Sequence, residues 1–150
     1  MQIAEFIPGR LYGGTQIDGE GWRRLAQLGV TAILNVRERE EDVPGSYPYP
    51  LAVYQFPLEN KSSPPLQELV QAVETVVSWL AEGRIVYVHD VAGKNRLGFL
   101  LTAILMRLYR LPWRTALEKA REQRPVLAPR SQFQLILERY ERFLQIRGQY

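Results

Sequence analysis

The chain reads as short apolar runs of four to seven residues alternating with longer stretches whose apolar positions recur every three or four residues. Phe6-Ile7-Pro8-Gly9-Arg10-Leu11-Tyr12-Gly13-Gly14 predicts a strand, a Pro-Gly turn and a second short strand. Asp18 predicts the N-cap of a helix running through Leu28, which Gly29 ends. The β-branched run from Val30 to Val36 predicts a buried strand, and Leu51 to Phe56 another. Between them lies a charged, proline-rich stretch, residues 37–50, expected as an exposed loop, and residues 57–65 form a further loop. Leu66, Leu69, Val70, Val73, Val77 and Leu80 fall on one face of a helix. Ile85 to His89 then predicts a strand, followed by a long apolar helix from Phe99 to Leu111. Pro112 opens a helix near Trp113 that stops near Arg124-Pro125. The last helix spans roughly residues 131–146, with Phe133, Ile136, Leu137, Tyr140 and either Phe143 or Leu144 on one face.

Strands alternating with helices predict an α/β fold with a central, largely parallel sheet flanked by helices. Its ligand site is expected at the C-terminal end of a central strand. The 150 residues are expected to form one domain, and 46% hydrophobic residues suffice for a substantial core. No apolar run approaches the roughly 18 residues of a membrane span. Met1 leads into Gln2-Ile3-Ala4-Glu5, which is not a secretory pattern, so the expected location is cytoplasmic. The absence of cysteine excludes disulfides. Arginine greatly outnumbers lysine, and much of it lies on the C-terminal helices, either as a solvated basic face or as a surface for an acidic or phosphorylated partner. No nucleic-acid motif accompanies it, so no nucleic-acid partner is expected.

The richest stretch is Val86-Tyr87-Val88-His89-Asp90-Val91-Ala92-Gly93-Lys94-Asn95-Arg96-Leu97-Gly98. A strand runs into a glycine-containing loop that opens a helix. Such a loop turns backbone N–H groups toward one point, and the helix terminus adds partial positive charge there. Arg96 adds a planar, permanently charged fork suited to phosphate. Asp90 could instead fill such a nest from within, accepting loop N–H bonds and pairing with Arg96. Arg96 therefore serves either an external anion or Asp90. His89 is the only histidine and is expected as a buried hydrogen-bonding residue; with no second histidine or any cysteine beside it, no metal site is expected.

This stretch resembles the signature loop of the protein tyrosine and dual-specificity phosphatases, with His89, Gly93, Arg96 and Gly98 at matching positions. The resemblance continues through residues 7–14, 28–36 and 121–129 and Phe133, some 130 residues in all, and implies the fold of that family. It implies phosphate contacts from Val91, Ala92, Gly93, Lys94, Asn95 and Arg96, a supporting role for His89, and no cofactor. Lys94 and Asn95 fit the rim of the loop or open solvent equally. Three positions depart from the family pattern. Asp90 stands where the resemblance puts the nucleophilic cysteine. Asn60 is the best match to the general-acid aspartate, although it also suits a plain turn, and Glu59 beside it or Asp42 from another loop could approach the same place. Leu97 replaces a hydroxyl residue. A carboxylate is a poorer nucleophile and repels a dianionic phosphate, and an amide cannot supply the proton. The expectation is a catalytically silent relative that binds a phosphorylated protein, a small phosphoester or an inositol phosphate, or a protein surface. The alternative is a working phosphomonoester hydrolase, one that uses Asp90 itself or one whose parent protein has cysteine at position 90 and in which the aspartate is an engineered replacement.

Overall fold

The computed structural model describes residues 1–59 and 61–148. Ten elements follow in the order β1 (Ile3–Ile7), β2 (Leu11–Gly14), α1 (Gly19–Leu28), β3 (Ala32–Asn35), β4 (Ala52–Gln55), α2 (Leu66–Ala81), β5 (Val86–His89), α3 (Asn95–Tyr109), α4 (Trp113–Gln123) and α5 (Ser131–Ile146). The strands form one sheet in the order β1-β2-β5-β3-β4. β1 is antiparallel to β2, and every other pairing is parallel. The expected α/β architecture is therefore the observed one.

Side-chain alternation sorts the two faces. Val86 and Val88 of β5, with Ala32 and Leu34 of β3, pack into the larger core under the C-terminal helices. Tyr87 and Ile33 point the other way, into a smaller cluster with Leu25 of α1. α3 crosses the middle of the larger core. Its residues from Arg96 to Met106 are all buried, and Phe99 stacks on Phe133 of α5 at 4.7 Å. The register aligns Gly14, His89, Asn35 and Gln55 in one row across the four parallel strands. The loops leaving those strands therefore open along one edge of the sheet.

Two boundaries differ from the sequence reading in ways that matter. α3 begins at Asn95, four residues before the apolar run, and ends at Tyr109, where Arg110 adopts a left-handed φ of 56°. Apolar spacing cannot mark a first turn that faces a polar site. The segment 37–50 is also not simply exposed: the side chains of Arg37 and Glu41 are 9% and 4% accessible. Tyr47 anchors the same segment, donating to the Val30 carbonyl at 2.6 Å and meeting Trp22 edge-on.

Candidate functional site

β5 delivers His89 and Asp90 to the sheet edge. The chain then turns through Gly93, whose φ of +69° favours glycine, and enters α3. Gly98 lets the Ala128-Pro129 segment pass close by: a Cβ there would lie 3.2 Å from the Pro129 ring. Asp90 is 2% exposed. Its Oδ1 accepts the Gly93 amide at 2.5 Å, and its Oδ2 accepts the Leu97 amide at 2.9 Å. One carboxylate thus ties both ends of the loop together at the N-terminus of a 15-residue helix, where negative charge is favoured.

Arg96 is buried beside it but does not pair with it. Its Nη1 donates to the Leu58 carbonyl at 3.0 Å, its Nε is buried without an acceptor, and among the described residues it forms no ion pair. Of the two roles open to Arg96, pairing with Asp90 does not occur among the described residues; the Asp90 oxygens accept the loop amides of Gly93 and Leu97 instead. The Leu97 side chain is fully buried in the core, leaving only its amide to the loop. Val91, Ala92 and Lys94 are exposed and Asn95 is half-buried. The amides of Lys94, Asn95 and Arg96 find no acceptor among the described residues. Asn60 lies outside the described residues.

His89 is fully buried, as expected, and stacks on Tyr87 at 5.5 Å. Burial pushes the Tyr87 phenol well above its usual range, and the hydroxyl donates to the Thr15 carbonyl at 2.6 Å. His89 Nε2 lies 2.5 Å from Glu41 Oε1. A carboxylate only accepts, so the Nε2 proton points at Glu41. The other Glu41 oxygen accepts from Arg37 at 3.1 Å. Asn35 Oδ1 accepts both the Arg37 amide and its Nε, and Asn35 Nδ2 donates to Gln55 at 2.8 Å. The network runs along the strand-end row and joins segment 37–50 to the residue before Asp90.

Glu41 and Arg124 are the two site residues that sequence reasoning missed. Glu41 sits among several acidic neighbours in a stretch whose composition predicts an exposed loop; only its spacing of four from Arg37 hinted at pairing, and its histidine partner lies 48 residues away. Arg124 lies just beyond α4 and reaches the loop carbonyls of Gly93 at 2.7 Å and Ala92 at 3.3 Å. A cleft of about 550 Å³ opens beside the loop, with Val91, Thr15, Trp22, Arg39 and Asp42 among its walls. No cluster of three metal-ligating side chains occurs among the described residues. Nor is any described helix long and apolar enough to cross a membrane.

Residues 11–143 match the family model "Dual specificity phosphatase, catalytic domain". The chain is 30% identical over 143 residues to human dual specificity protein phosphatase 12, covering 93% of this chain and 42% of that protein's length. It thus spans less than half of that relative. Among solved structures, human DUSP28 superposes with a TM-score of 0.83 at 25% identity, covering 95% of each chain. PTPMT1, in complex with PI(5)P, superposes with a TM-score of 0.83 at 18% identity, covering 97% of this chain and 98% of that one, which speaks to the fold alone. With the family model spanning residues 11–143 and the fold in agreement, this chain belongs to the dual specificity phosphatase catalytic-domain family, a family of phosphoric monoester hydrolases.

Proposed function

We propose that this chain is a catalytically silent member of its family, a module that binds a phosphorylated partner through the loop from Asp90 to Arg96. The observation that carries this reading is the placement of Asp90, which we assign to the position of the family's nucleophilic cysteine. Its carboxylate is 2% exposed and both oxygens are bonded to loop amides. A nucleophile needs electron density aimed at phosphorus, and here each oxygen already accepts a loop amide, which holds the carboxylate against the loop and draws on that density. An approaching phosphate would also meet a like charge, which at 4 Å costs about 4 kcal/mol at an effective dielectric of 20. Leu97 offers no hydroxyl to assist the reaction, and the amide of Asn60, the residue the resemblance matches to the general acid, cannot supply the proton.

The same surroundings favour holding an anion. Two buried guanidiniums, Arg96 and Arg124, flank the single carboxylate of Asp90, and neither has a carboxylate partner among the described residues. Buried charge without a counter-ion is costly, so a further negative group at the loop mouth relieves it. The amides of Lys94, Asn95 and Arg96, which have no acceptor among the described residues, and the buried Arg96 Nε supply the donors. The fitting ligands are a phosphorylated protein or a small phosphoester; the PI(5)P complex of PTPMT1 brings inositol phosphates into the set to be screened.

The reading is tested by calorimetric titration of the chain with inorganic phosphate and tungstate, repeated on Arg96→Met. Saturable binding that Arg96→Met abolishes is the expected result. A parent chain that binds neither anion would remove the anion-binding role and leave only a scaffold.

A further inference from the structure

Arg124 occupies a position that its surroundings do not explain as ordinary surface chemistry. It follows the last residue of α4 and precedes Pro125, which bars the helix from continuing and favours an extended backbone at residue 124. The side chain is turned inward and is 8% exposed. No carboxylate pairs with it among the described residues. Its donors go to neutral oxygens instead: Nε to the Gly93 carbonyl at 2.7 Å, Nη2 to the Ala92 carbonyl at 3.3 Å, and Nη1 to Gln2 Oε1 at 2.9 Å. Two of the three contacts thus fall on successive carbonyls of the Asp90 loop. The fit is close, since a Cβ on Gly93 would come within 2.7 Å of Nη2. The segment after Arg124 follows the same loop, with the Ala128 amide on the Lys94 carbonyl at 3.2 Å.

We propose that Arg124 is a positioning residue of the anion site, holding the carbonyls of Ala92 and Gly93 outward so that the amides on the opposite side of the loop face inward. A peptide unit is planar, so fixing the direction of its carbonyl fixes the direction of the N–H that follows. The Ala92 carbonyl and the Gly93 amide belong to one such unit, and that amide is the one bonded to Asp90 at 2.5 Å. The Gly93 carbonyl and the Lys94 amide form the next, and the Lys94 amide finds no acceptor among the described residues. Arg124 also places a permanent positive charge behind the loop without touching the ligand. The inference rests on reading this loop as an anion site, but its geometric part is measurable without any ligand.

The test is backbone hydrogen exchange in the whole chain and in Arg124→Lys and Arg124→Met, with tungstate titration of all three. Ala103 and Ile104, in the buried middle of α3, serve as internal references. In Arg124→Met, exchange at Gly93 and Leu97 is expected to speed up about tenfold relative to Ala103 and Ile104, and tungstate affinity to fall by about the same factor, the size of one lost charged hydrogen bond. Arg124→Lys, which keeps the charge and one directed donor, is expected to restore part of both. Should Arg124→Met fail to fold, Arg124→Lys alone decides, since loss of the fork still exposes the Gly93 amide selectively. Exchange at Gly93 and Leu97 that changes no more than at Ala103 and Ile104 would overturn the proposal and leave Arg124 a general packing residue. If the parent chain binds no tungstate, the anion reading fails while the exchange data still decide the positioning claim.

Discussion

Asp90 and Glu41 show what one carboxylate can do when it is buried with a full set of donors. Asp90 takes two backbone amides and closes the loop on itself. Glu41 takes His89 on one oxygen and Arg37 on the other, locking segment 37–50 to the end of β5. Removing one member of a buried pair strands the other, whereas replacing both with apolar groups relieves the desolvation cost. Glu41→Ala is therefore expected to destabilise the fold by about 3–5 kcal/mol. Arg37→Met combined with Glu41→Leu is expected to lose clearly less than the sum of the two single changes, as read by a double-mutant cycle in denaturant unfolding. Simple additivity would show that the two side chains do not act as a unit. At this scale the sequence was only partly legible. Asp90, His89 and Arg96 stood out because residue type and loop context coincide. Glu41 and Arg124 did not, because each acquires its role from a partner 48 and 31 residues away, respectively.

At the scale of elements, most segments could be read from apolar spacing. α5 spans Ser131–Ile146 as expected, and α1 begins after the Asp18 cap, whose Oδ1 accepts the Gly21 amide at 2.6 Å. The reading fell short where an element serves the site. The first turn of α3 opens with Asn95 and Arg96 and gives its Leu97 amide to the loop, so apolar spacing marks the helix only from Phe99. Segment 37–50 has the composition of a solvated loop, yet it is pinned at Arg37, Glu41 and Tyr47. Tyr47 gives this anchoring a pH signature. Burial pushes its phenol up from 10.0 to about 12. Only the neutral form keeps the bond to the Val30 carbonyl, so the folded state resists ionisation more than the unfolded chain does. Its contribution is fully present below pH 10.0 and declines as pH rises toward about 12. Tyr47→Phe is expected to cost about 1 kcal/mol at neutral pH, the value of one hydrogen bond. The variant should also show a shallower loss of stability between those two pH values in urea unfolding; an unchanged slope would place the alkaline sensitivity elsewhere.

For the whole molecule, the parallel register governs everything else. Aligning Gly14, His89, Asn35 and Gln55 in one row places the loop from Asp90, the buried side chains of Arg37 and Glu41, and the residues after β4 along one edge. Strands alternating with helices predict this edge as the place for a ligand, because parallel sheets flanked by helices leave it open. It could not foretell how the loop is braced from beneath by a residue that follows α4, since that depends on the packing of the C-terminal helices around α3. The scaffold is that of a phosphoester-handling family, while the group we assign to its centre is a carboxylate whose two oxygens each accept a loop amide. The most direct test of the proposed silence is turnover of a generic aryl phosphate by this chain, measured beside Asp90→Ala and Asp90→Cys under identical conditions. The expected result is no hydrolysis by this chain above buffer. Hydrolysis by this chain that disappears in Asp90→Ala would contradict the account and make Asp90 a working nucleophile.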